Sequence, residues 1–134
     1  MKVVLIDDTP EIAELLTFAL RDRGFDVFAS GFTGDISALL DEQRADALVL
    51  DCTALEMSEA LFDSVRGDDE RATLPIVIVS DTPEKADASL RKRHAQHVLL
   101  IPKPFTGSQI ARALDELLRA SERTPNPEPR IPNP

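Results

Sequence analysis

The sequence has one cysteine, no long apolar run and no excess of basic residues, and each shortage excludes a class of protein. Cys52 alone cannot form a disulfide bond within the chain, so nothing in the composition indicates an oxidising compartment. The first thirty residues contain no apolar signal core followed by a small-residue cleavage site. Together these observations predict a reducing, cytoplasmic location.

The chain is also short of features that bind membranes or nucleic acids. No apolar run approaches the roughly 20 residues that a membrane-spanning helix needs. Fifteen Lys and Arg residues stand against 24 Asp and Glu residues, so the net charge is −9. This charge opposes binding to nucleic-acid phosphates or anionic lipids. The 134 residues are 43% hydrophobic and 29% charged, which predicts one globular domain with a buried core.

Short runs of aliphatic residues predict five strands. Four runs do not alternate with polar residues and therefore predict strands that are buried on both faces. They are Val3–Ile6, Ala47–Leu50, Ile76–Val79 and Val98–Ile101. The fifth candidate, Phe25–Ser30, alternates apolar and polar residues more openly, so we place it at an edge of the sheet.

Amphipathic helical patterns lie between these strands. The clearest predicts a first helix after Thr9 as N-cap, with Pro10 at its first position and Gly24 after its end. Further stripes predict helices around residues 36–40 and 57–65, a weaker one over 84–94, and a fifth over 110–118. Strands that alternate with helices imply right-handed crossovers and an α/β fold with a doubly wound parallel sheet.

The composition changes near residue 120. Five of the ten prolines lie in the last ten residues, and proline removes backbone donors and favours extended conformations. We therefore predict a domain over residues 1–120 and a Pro-rich tail or linker over residues 121–134.

Polar side chains follow four of the predicted strands at their carboxyl ends, where a parallel sheet forms its functional crevice. They are, in chain order, Asp7, Asp8, Asp51, Ser80, Asp81 and Lys103. Converging carboxylates repel one another unless a divalent cation lies among them, and oxygen ligands favour Mg²⁺. A hydroxyl and an ammonium supply the hydrogen-bond donor and the charge that a phosphoryl group needs.

With this set in place, the chain resembles the receiver domain of two-component response regulators over residues 1 to about 120. The resemblance rests on the order and spacing of the Asp7-Asp8 pair, Asp51, Ser80 and the Lys-Pro-Phe run that begins at Lys103. It implies a flavodoxin-like (βα)5 fold, a doubly wound five-stranded parallel sheet with the strand order 2-1-3-4-5.

The resemblance also implies a chemical role for each residue of the set. Asp51 would be the phosphoacceptor, which attacks the phosphohistidine of a histidine kinase and carries an acyl phosphate. Ser80 would form a hydrogen bond to the new phosphate and act as a switch. Lys103 would pair with the phosphate, and a cis peptide bond would precede Pro104.

A Mg²⁺ site is implied at the same place. Asp8 and Asp51 would bind the ion directly, Asp7 would act mainly through water, and the backbone carbonyl of Thr53 would complete the protein ligands. The implied function is a signalling switch in a phosphorelay and not a turnover enzyme. Its partners would be a histidine kinase or phosphotransfer protein and a downstream protein.

The chain departs from the family pattern at residues expected to transmit or modulate the signal. Leu100 stands where the switch aromatic is usual, so transmission through this position is in doubt. Asp81 follows Ser80 where a small residue is preferred, and we expect its charge to hinder anionic phosphodonors. Thr53 and Thr82 stand at the positions that commonly tune phosphate lifetime in this family.

The segment after Asp51 departs as well. Met-Pro and a later Gly are usual there, but this chain has Ala54, Leu55 and Glu59. Because Gly permits a positive φ that Glu tolerates poorly, we expect the loop to run differently and to enter its helix early.

A basic block ends the predicted fourth helix. We interpret Arg91–His94 as solvated cations that complement the helix dipole. Charge alone also allows Asp115 and Glu116 to pair with this block in a second copy. A homodimer would then form through helix 4, strand 5 and helix 5, which are the predicted elements at 84–94, 98–101 and 110–118.

Two other functions compete with the phosphorylated switch. The first is an atypical receiver that acts as an interaction module without phosphorylation, suggested by Leu100, Asp81 and the altered loop. The second is a small phosphohydrolase similar to the haloacid dehalogenase superfamily, which uses an Asp nucleophile, a hydroxyl and a Lys. That superfamily needs a second Asp two residues after the nucleophile, where this chain has Thr53.

Overall fold

The computed structural model describes residues 1–123, in which five strands alternate with five helices. The strands are β1 Lys2–Asp7, β2 Asp26–Ser30, β3 Ala47–Asp51, β4 Ile76–Ser80 and β5 Val98–Pro102. The helices are α1 Pro10–Asp22, α2 Ile36–Gln43, α3 Leu55–Arg66, α4 Pro83–Lys92 and α5 Gly107–Arg123. A short 3-10 turn, Asp69–Arg71, lies between α3 and β4.

The strands form one parallel sheet in the order β2-β1-β3-β4-β5, which confirms the predicted topology. This is the doubly wound, flavodoxin-like arrangement. The strand order reverses beside β1, so β1 and β3 are neighbours although they are not consecutive in the chain. Their register places Asp7 directly opposite Asp51. The crevice of such a sheet lies outside these carboxyl ends, where the chain carries its acidic residues.

The core has two layers because alternate residues of each strand point to opposite faces of the sheet. Val3 and Leu5 face one layer, formed with α1 and α5, while Val4 and Ile6 face the other, formed with α2 and α3. Every residue of β3 and β4 is buried, as the uninterrupted apolar runs predict. The sheet is therefore a rigid base for the residues at its carboxyl edge.

The two edge strands are more exposed than the central ones. The prediction that β2 lies at an edge is confirmed. The prediction that the run Val98–Ile101 is buried on both faces is wrong, since β5 is the other edge strand and these residues are half-buried. The reason is that β5 has a strand neighbour on one side only, and that α4 contributes a single buried residue, Ala86.

The start of α1 is tied to the end of β1. Thr9 occupies the N-cap position and Pro10 the first helical position, as predicted, although the Thr9 side chain makes no capping hydrogen bond. Instead, the Thr9 N–H donates to Asp7 Oδ1 at 2.8 Å. Gly24 follows the helix with a φ of 93°, a conformation that glycine adopts without strain.

The carboxyl end of the domain differs from the prediction in one respect. Helix α5 continues to Arg123, three residues past the predicted boundary at residue 120. The remainder of the predicted Pro-rich tail lies outside the described residues.

Candidate functional site

Strand ends bring the predicted site residues to one edge of the sheet. Strand β1 ends at Asp7, β3 at Asp51 and β4 at Ser80, while Lys103 directly follows β5. Because the strands are parallel and in register, these four side chains leave the sheet at the same end. The structure therefore assembles in space the set that the sequence supplies from separate segments.

Two carboxylates lie side by side in the floor of the site. Asp7 and Asp51 are 4% and 2% exposed, respectively, and a second oxygen, Oδ2, of each is buried without a hydrogen-bond partner among the described residues. Burial raises the pKa of Asp7 to about 7. The neighbouring Asp51 and the charge of Asp8 raise this pKa further, while the hydrogen bond from the Thr9 N–H lowers it. Two adjacent buried carboxylates are costly to ionise, so this pair favours the binding of a cation.

Lys103 faces this floor from the loop after β5. Its Nζ lies 2.9 Å from Asp51 Oδ1 as an ion pair. Burial opposes the charged ammonium, but the contact with Asp51 and the charges of Asp51, Asp81 and Asp7 outweigh it, so the pKa of Lys103 is raised. Lys103 is therefore a fixed positive charge beside Asp51. The peptide bond between Lys103 and Pro104 is cis, which confirms that expectation.

Asp8 lies at the rim and is held by Thr53. The Thr53 hydroxyl donates to Asp8 Oδ1 at 2.8 Å, and the Thr53 N–H donates to Oδ2 at 3.0 Å. Partial burial raises the pKa of Asp8, but these two hydrogen bonds outweigh it and the net shift is downward. Among residues 1–123, no three Asp, Glu, His or Cys side chains stand together as a ready-made metal site. Asp7 lies opposite Asp51, whereas the Asp8 carboxylate is hydrogen-bonded to Thr53.

Ser80 and Thr82 form a small hydroxyl pair on the β4 side. Ser80 is 5% exposed, and its Oγ accepts from the Thr82 N–H at 3.0 Å and lies 3.3 Å from Thr82 Oγ1. The Lys103 N–H donates to the Ser80 carbonyl oxygen at 2.8 Å, which fixes the two loops against each other. Asp81, between the two hydroxyls, is exposed, and its charge is one of those that raise the pKa of Lys103.

The segment between Asp51 and α3 is short. Only three residues separate Asp51 from the start of α3 at Leu55. Glu59, which replaces the usual Gly, lies inside α3 and is not among the residues with positive φ. Glu59 therefore has regular helical backbone geometry, and the absence of the usual Gly causes no backbone strain at this position.

A network between α3 and α4 was not foreseen from the sequence. Ser89 Oγ donates to Glu59 Oε2 at 2.5 Å, and the Arg93 guanidinium donates to both oxygens of Asp63, at 2.7 and 2.9 Å. The hydrogen bonds from Arg93 hold the pKa of Asp63 below its usual value. The available signal is spacing, because Glu59 and Asp63 are four residues apart on one helix, as are Ser89 and Arg93 on the end of the next.

This network corrects the interpretation of the basic block 91–94. Arg93 is bound across the helix interface and is not simply solvated. Arg91 is 80% exposed, in keeping with the interpretation, and pairs with Asp87 one turn back on α4 at 2.7 Å.

Leu100 lies in the middle of β5 opposite Ile78 of β4. It is half-buried and packs against the core layer formed with α2 and α3. The side chain is purely aliphatic, so it offers no ring or hydroxyl to a partner at this position.

No helix within the described part of the chain is long and apolar enough to cross a membrane. A comparison with models of protein families finds no match.

Two relatives share sequence with most of this chain. A probable transcriptional regulatory protein, TcrX, of Mycobacterium tuberculosis is 28% identical over 118 residues, which are 87% of this chain and 49% of TcrX. The DNA-binding response regulator MtrA of Mycolicibacterium smegmatis is 27% identical over 124 residues, which are 92% of this chain and 53% of MtrA. The chain thus spans about half of the length of each relative.

Solved structures share the fold. The signal receiver domain of a signal transduction histidine kinase from Syntrophus aciditrophicus superimposes with a TM-score of 0.76 at 22% identity, over 92% of this chain and 93% of that one. The chemotaxis response regulator CheY4 of Vibrio cholerae superimposes with a TM-score of 0.66 at 24% identity, over 87% and 97% of the two chains. These similarities establish the fold.

Proposed function

We propose that this chain, a receiver domain of the response-regulator type by its fold and its sequence relatives, is a phosphorylation-dependent switch with Asp51 as the phosphoacceptor. The observation that carries the proposal is the buried Asp51 carboxylate at the end of β3, with the Lys103 ammonium 2.9 Å away. A carboxylate with a free oxygen can act as a nucleophile, and the adjacent ammonium can pair with an incoming phosphoryl oxygen.

The proposed transfer uses a phosphohistidine on a histidine kinase or phosphotransfer protein. An Asp51 carboxylate oxygen attacks the phosphorus, an O–P bond forms, and the P–N bond breaks with its electron pair leaving on the imidazole nitrogen. Lys103 exchanges part of its contact with Asp51 for a phosphoryl oxygen. The Ser80 hydroxyl, whose oxygen accepts from the Thr82 N–H, would turn to donate to the phosphoryl group and signal its presence.

The residues of the site fit a Mg²⁺ ion. Asp7 and Asp51 each bury an oxygen that no described group satisfies, and hard oxygen ligands of this kind suit Mg²⁺. Asp8, Asp51 and the Thr53 carbonyl would hold the ion directly, with Asp7 acting through water. When bound, the ion would offset the charge of these carboxylates and of the phosphoryl group.

The phosphorylated state would be read by a downstream protein. We propose that its binding surface lies on α4, β5 and α5. Ser80 directly precedes the loop to α4, Lys103 lies in the loop between β5 and α5, and the Lys103 N–H donates to the Ser80 carbonyl oxygen. The same surface would serve a homodimer. A cytoplasmic location and the absence of direct nucleic-acid or membrane contacts complete the proposal, in line with the net charge of −9.

The test is the mass of the intact protein after incubation with acetyl phosphate or phosphoramidate. We expect a gain of one phosphoryl group that requires Mg²⁺ and is abolished in Asp51→Asn. A metal-free sample and Asp69→Asn, which neutralises an exposed aspartate in the 3-10 turn away from the site, serve as controls. Absence of any gain in a folded protein would contradict the proposal.

A second candidate is an interaction module that works without phosphorylation. Leu100, which lacks the ring of the usual switch residue, is the observation that favours it. If it is correct, binding to the downstream protein survives in Asp51→Ala. A phosphohydrolase is less well supported, because Thr53 stands where the general acid would be needed and is bound to Asp8. Multiple turnover on a phosphate ester would be required to support it.

A further inference from the structure

Thr53 forms hydrogen bonds with Asp8, a proposed ligand of the metal ion. Its hydroxyl lies 2.8 Å from Asp8 Oδ1, while its own backbone N–H lies 3.0 Å from Asp8 Oδ2. One residue therefore engages both oxygens of the Asp8 carboxylate. Both donors come from the loop between β3 and α3, which is anchored at Asp51.

Asp8, which accepts both hydrogen bonds, is not part of a metal-binding cluster among residues 1–123. Asp7 and Asp51 are close enough to interact directly, but within residues 1–123 no third acidic, His or Cys side chain joins them at metal-binding spacing. Hydrogen bonds to a charged carboxylate are stronger than neutral ones, so an ion that requires Asp8 in a different orientation has to break them. A side-chain substitution can remove the hydrogen bond from the Thr53 hydroxyl, whereas the bond from the Thr53 backbone N–H stays.

We propose that the Thr53 hydroxyl is a positioning group that lowers the Mg²⁺ affinity of the site by holding Asp8 in its metal-free orientation. This inference rests on the proposed function, because it assumes that Asp8 is a ligand of Mg²⁺. The hydroxyl acts through Asp8 and is separate from the Thr53 backbone carbonyl, the group proposed to bind the ion. The Thr53 side chain thereby sets the ion concentration at which the switch becomes competent.

The test compares metal affinity in Thr53→Val and Thr53→Ser. Valine keeps the shape and the β-branch but removes the hydroxyl, whereas serine keeps the hydroxyl. Thr73→Val is the matched control, since Thr73 is exposed and lies before the amino end of β4, at the opposite edge of the sheet. Each protein is titrated with Mn²⁺, followed by the electron paramagnetic resonance signal of the free ion, and then competed with Mg²⁺.

We expect Thr53→Val to bind Mg²⁺ about three- to tenfold more tightly than the unsubstituted chain, which corresponds to about 0.7–1.4 kcal/mol and lies within the net range of an ordinary hydrogen bond, because Asp8 and Thr53 are exposed to solvent. Thr53→Ser and Thr73→Val should leave the affinity unchanged within about twofold, a difference of under about 0.5 kcal/mol. Because Thr53 is exposed, the variant is expected to fold, and circular dichroism checks this. Thr53→Ala provides a second hydroxyl-free variant.

The outcomes distinguish failure of the proposed function from failure of the role given to the Thr53 hydroxyl. If the unsubstituted chain binds neither Mn²⁺ nor Mg²⁺, the proposed function fails in its metal-dependent form, and the inference fails with it. If the unsubstituted chain binds Mg²⁺ but the hydroxyl-free variants bind it equally or more weakly, the role of the Thr53 hydroxyl is overturned while the proposed function stands.

Discussion

Replacement of Asp7 by asparagine should stabilise the metal-free protein at neutral and alkaline pH. Asp7 is 4% exposed and lies against Asp51, so its ionised form is disfavoured by burial and by a neighbouring carboxylate. Asparagine has nearly the same shape, removes the charge and keeps an oxygen that can accept from the Thr9 N–H. Its neutral amide also removes the repulsion between Asp7 and Asp51.

The size of the effect follows from the pKa of Asp7, which is about 7 in the folded chain against an ordinary value of 3.8. The difference is about 3 pH units, and each unit corresponds to about 1.4 kcal/mol. A raised acid pKa means that the folded state binds more protons than the unfolded state between pH 3.8 and about 7, so stability falls as the pH rises through this window. Above pH 7 the full penalty, up to about 4 kcal/mol, applies.

The assay is urea unfolding of both proteins in EDTA between pH 4 and pH 8. We predict that Asp7→Asn is about 2–4 kcal/mol more stable at pH 8 and that the difference nearly vanishes at pH 4. Asp69→Asn, an exposed aspartate in the 3-10 turn, should change stability by less than about 0.5 kcal/mol at either pH. A pH-independent difference between Asp7→Asn and the unsubstituted chain would refute the reasoning.

The remaining predictions concern the helix network and the approach to the site. Asp63→Asn should cost about 0.5–1.5 kcal/mol in urea unfolding because it weakens the bidentate pair with Arg93, whereas Asp87→Asn, which breaks an exposed pair within α4, should cost less than about 0.5 kcal/mol. Equal losses would contradict this assignment. Asp81→Ala should raise the rate of phosphorylation by acetyl phosphate about two- to fivefold, as expected for removal of one charge near Lys103 in a largely aqueous setting. An unchanged rate would contradict the proposal that the charge of Asp81 slows phosphorylation.

Much of the fold is readable from the sequence because its signals are local. Uninterrupted aliphatic runs such as Ala47–Leu50 predict central strands, and the alternation in Phe25–Ser30 predicts an edge strand. The run Val98–Ile101 misleads because aliphatic composition reports hydrophobicity and not the number of strand neighbours. Which strand lies at an edge is decided by topology, and here only the family resemblance supplied the order.

The site was predictable in composition but not in its contacts. The order of acids, hydroxyl and lysine along the chain indicates which strand ends supply the chemistry, and register then places Asp7 opposite Asp51. The bond between Thr53 and Asp8 spans 45 residues and depends on side-chain rotamers. The bonds from Arg93 to Asp63 likewise depend on how α4 packs on α3, which the four-residue spacing on each helix does not determine.

The central claim is that Asp51 carries the phosphoryl group, and the most direct measurement is to locate it. The protein is treated with acetyl phosphate and Mg²⁺ and then reduced with borohydride, which converts an aspartyl phosphate to homoserine at the modified position. Peptide mass spectrometry then identifies the site. The account predicts homoserine at position 51 only, and none in samples without phosphodonor. Homoserine at Asp7 or Asp8 instead, or at no position in a folded protein, would contradict it.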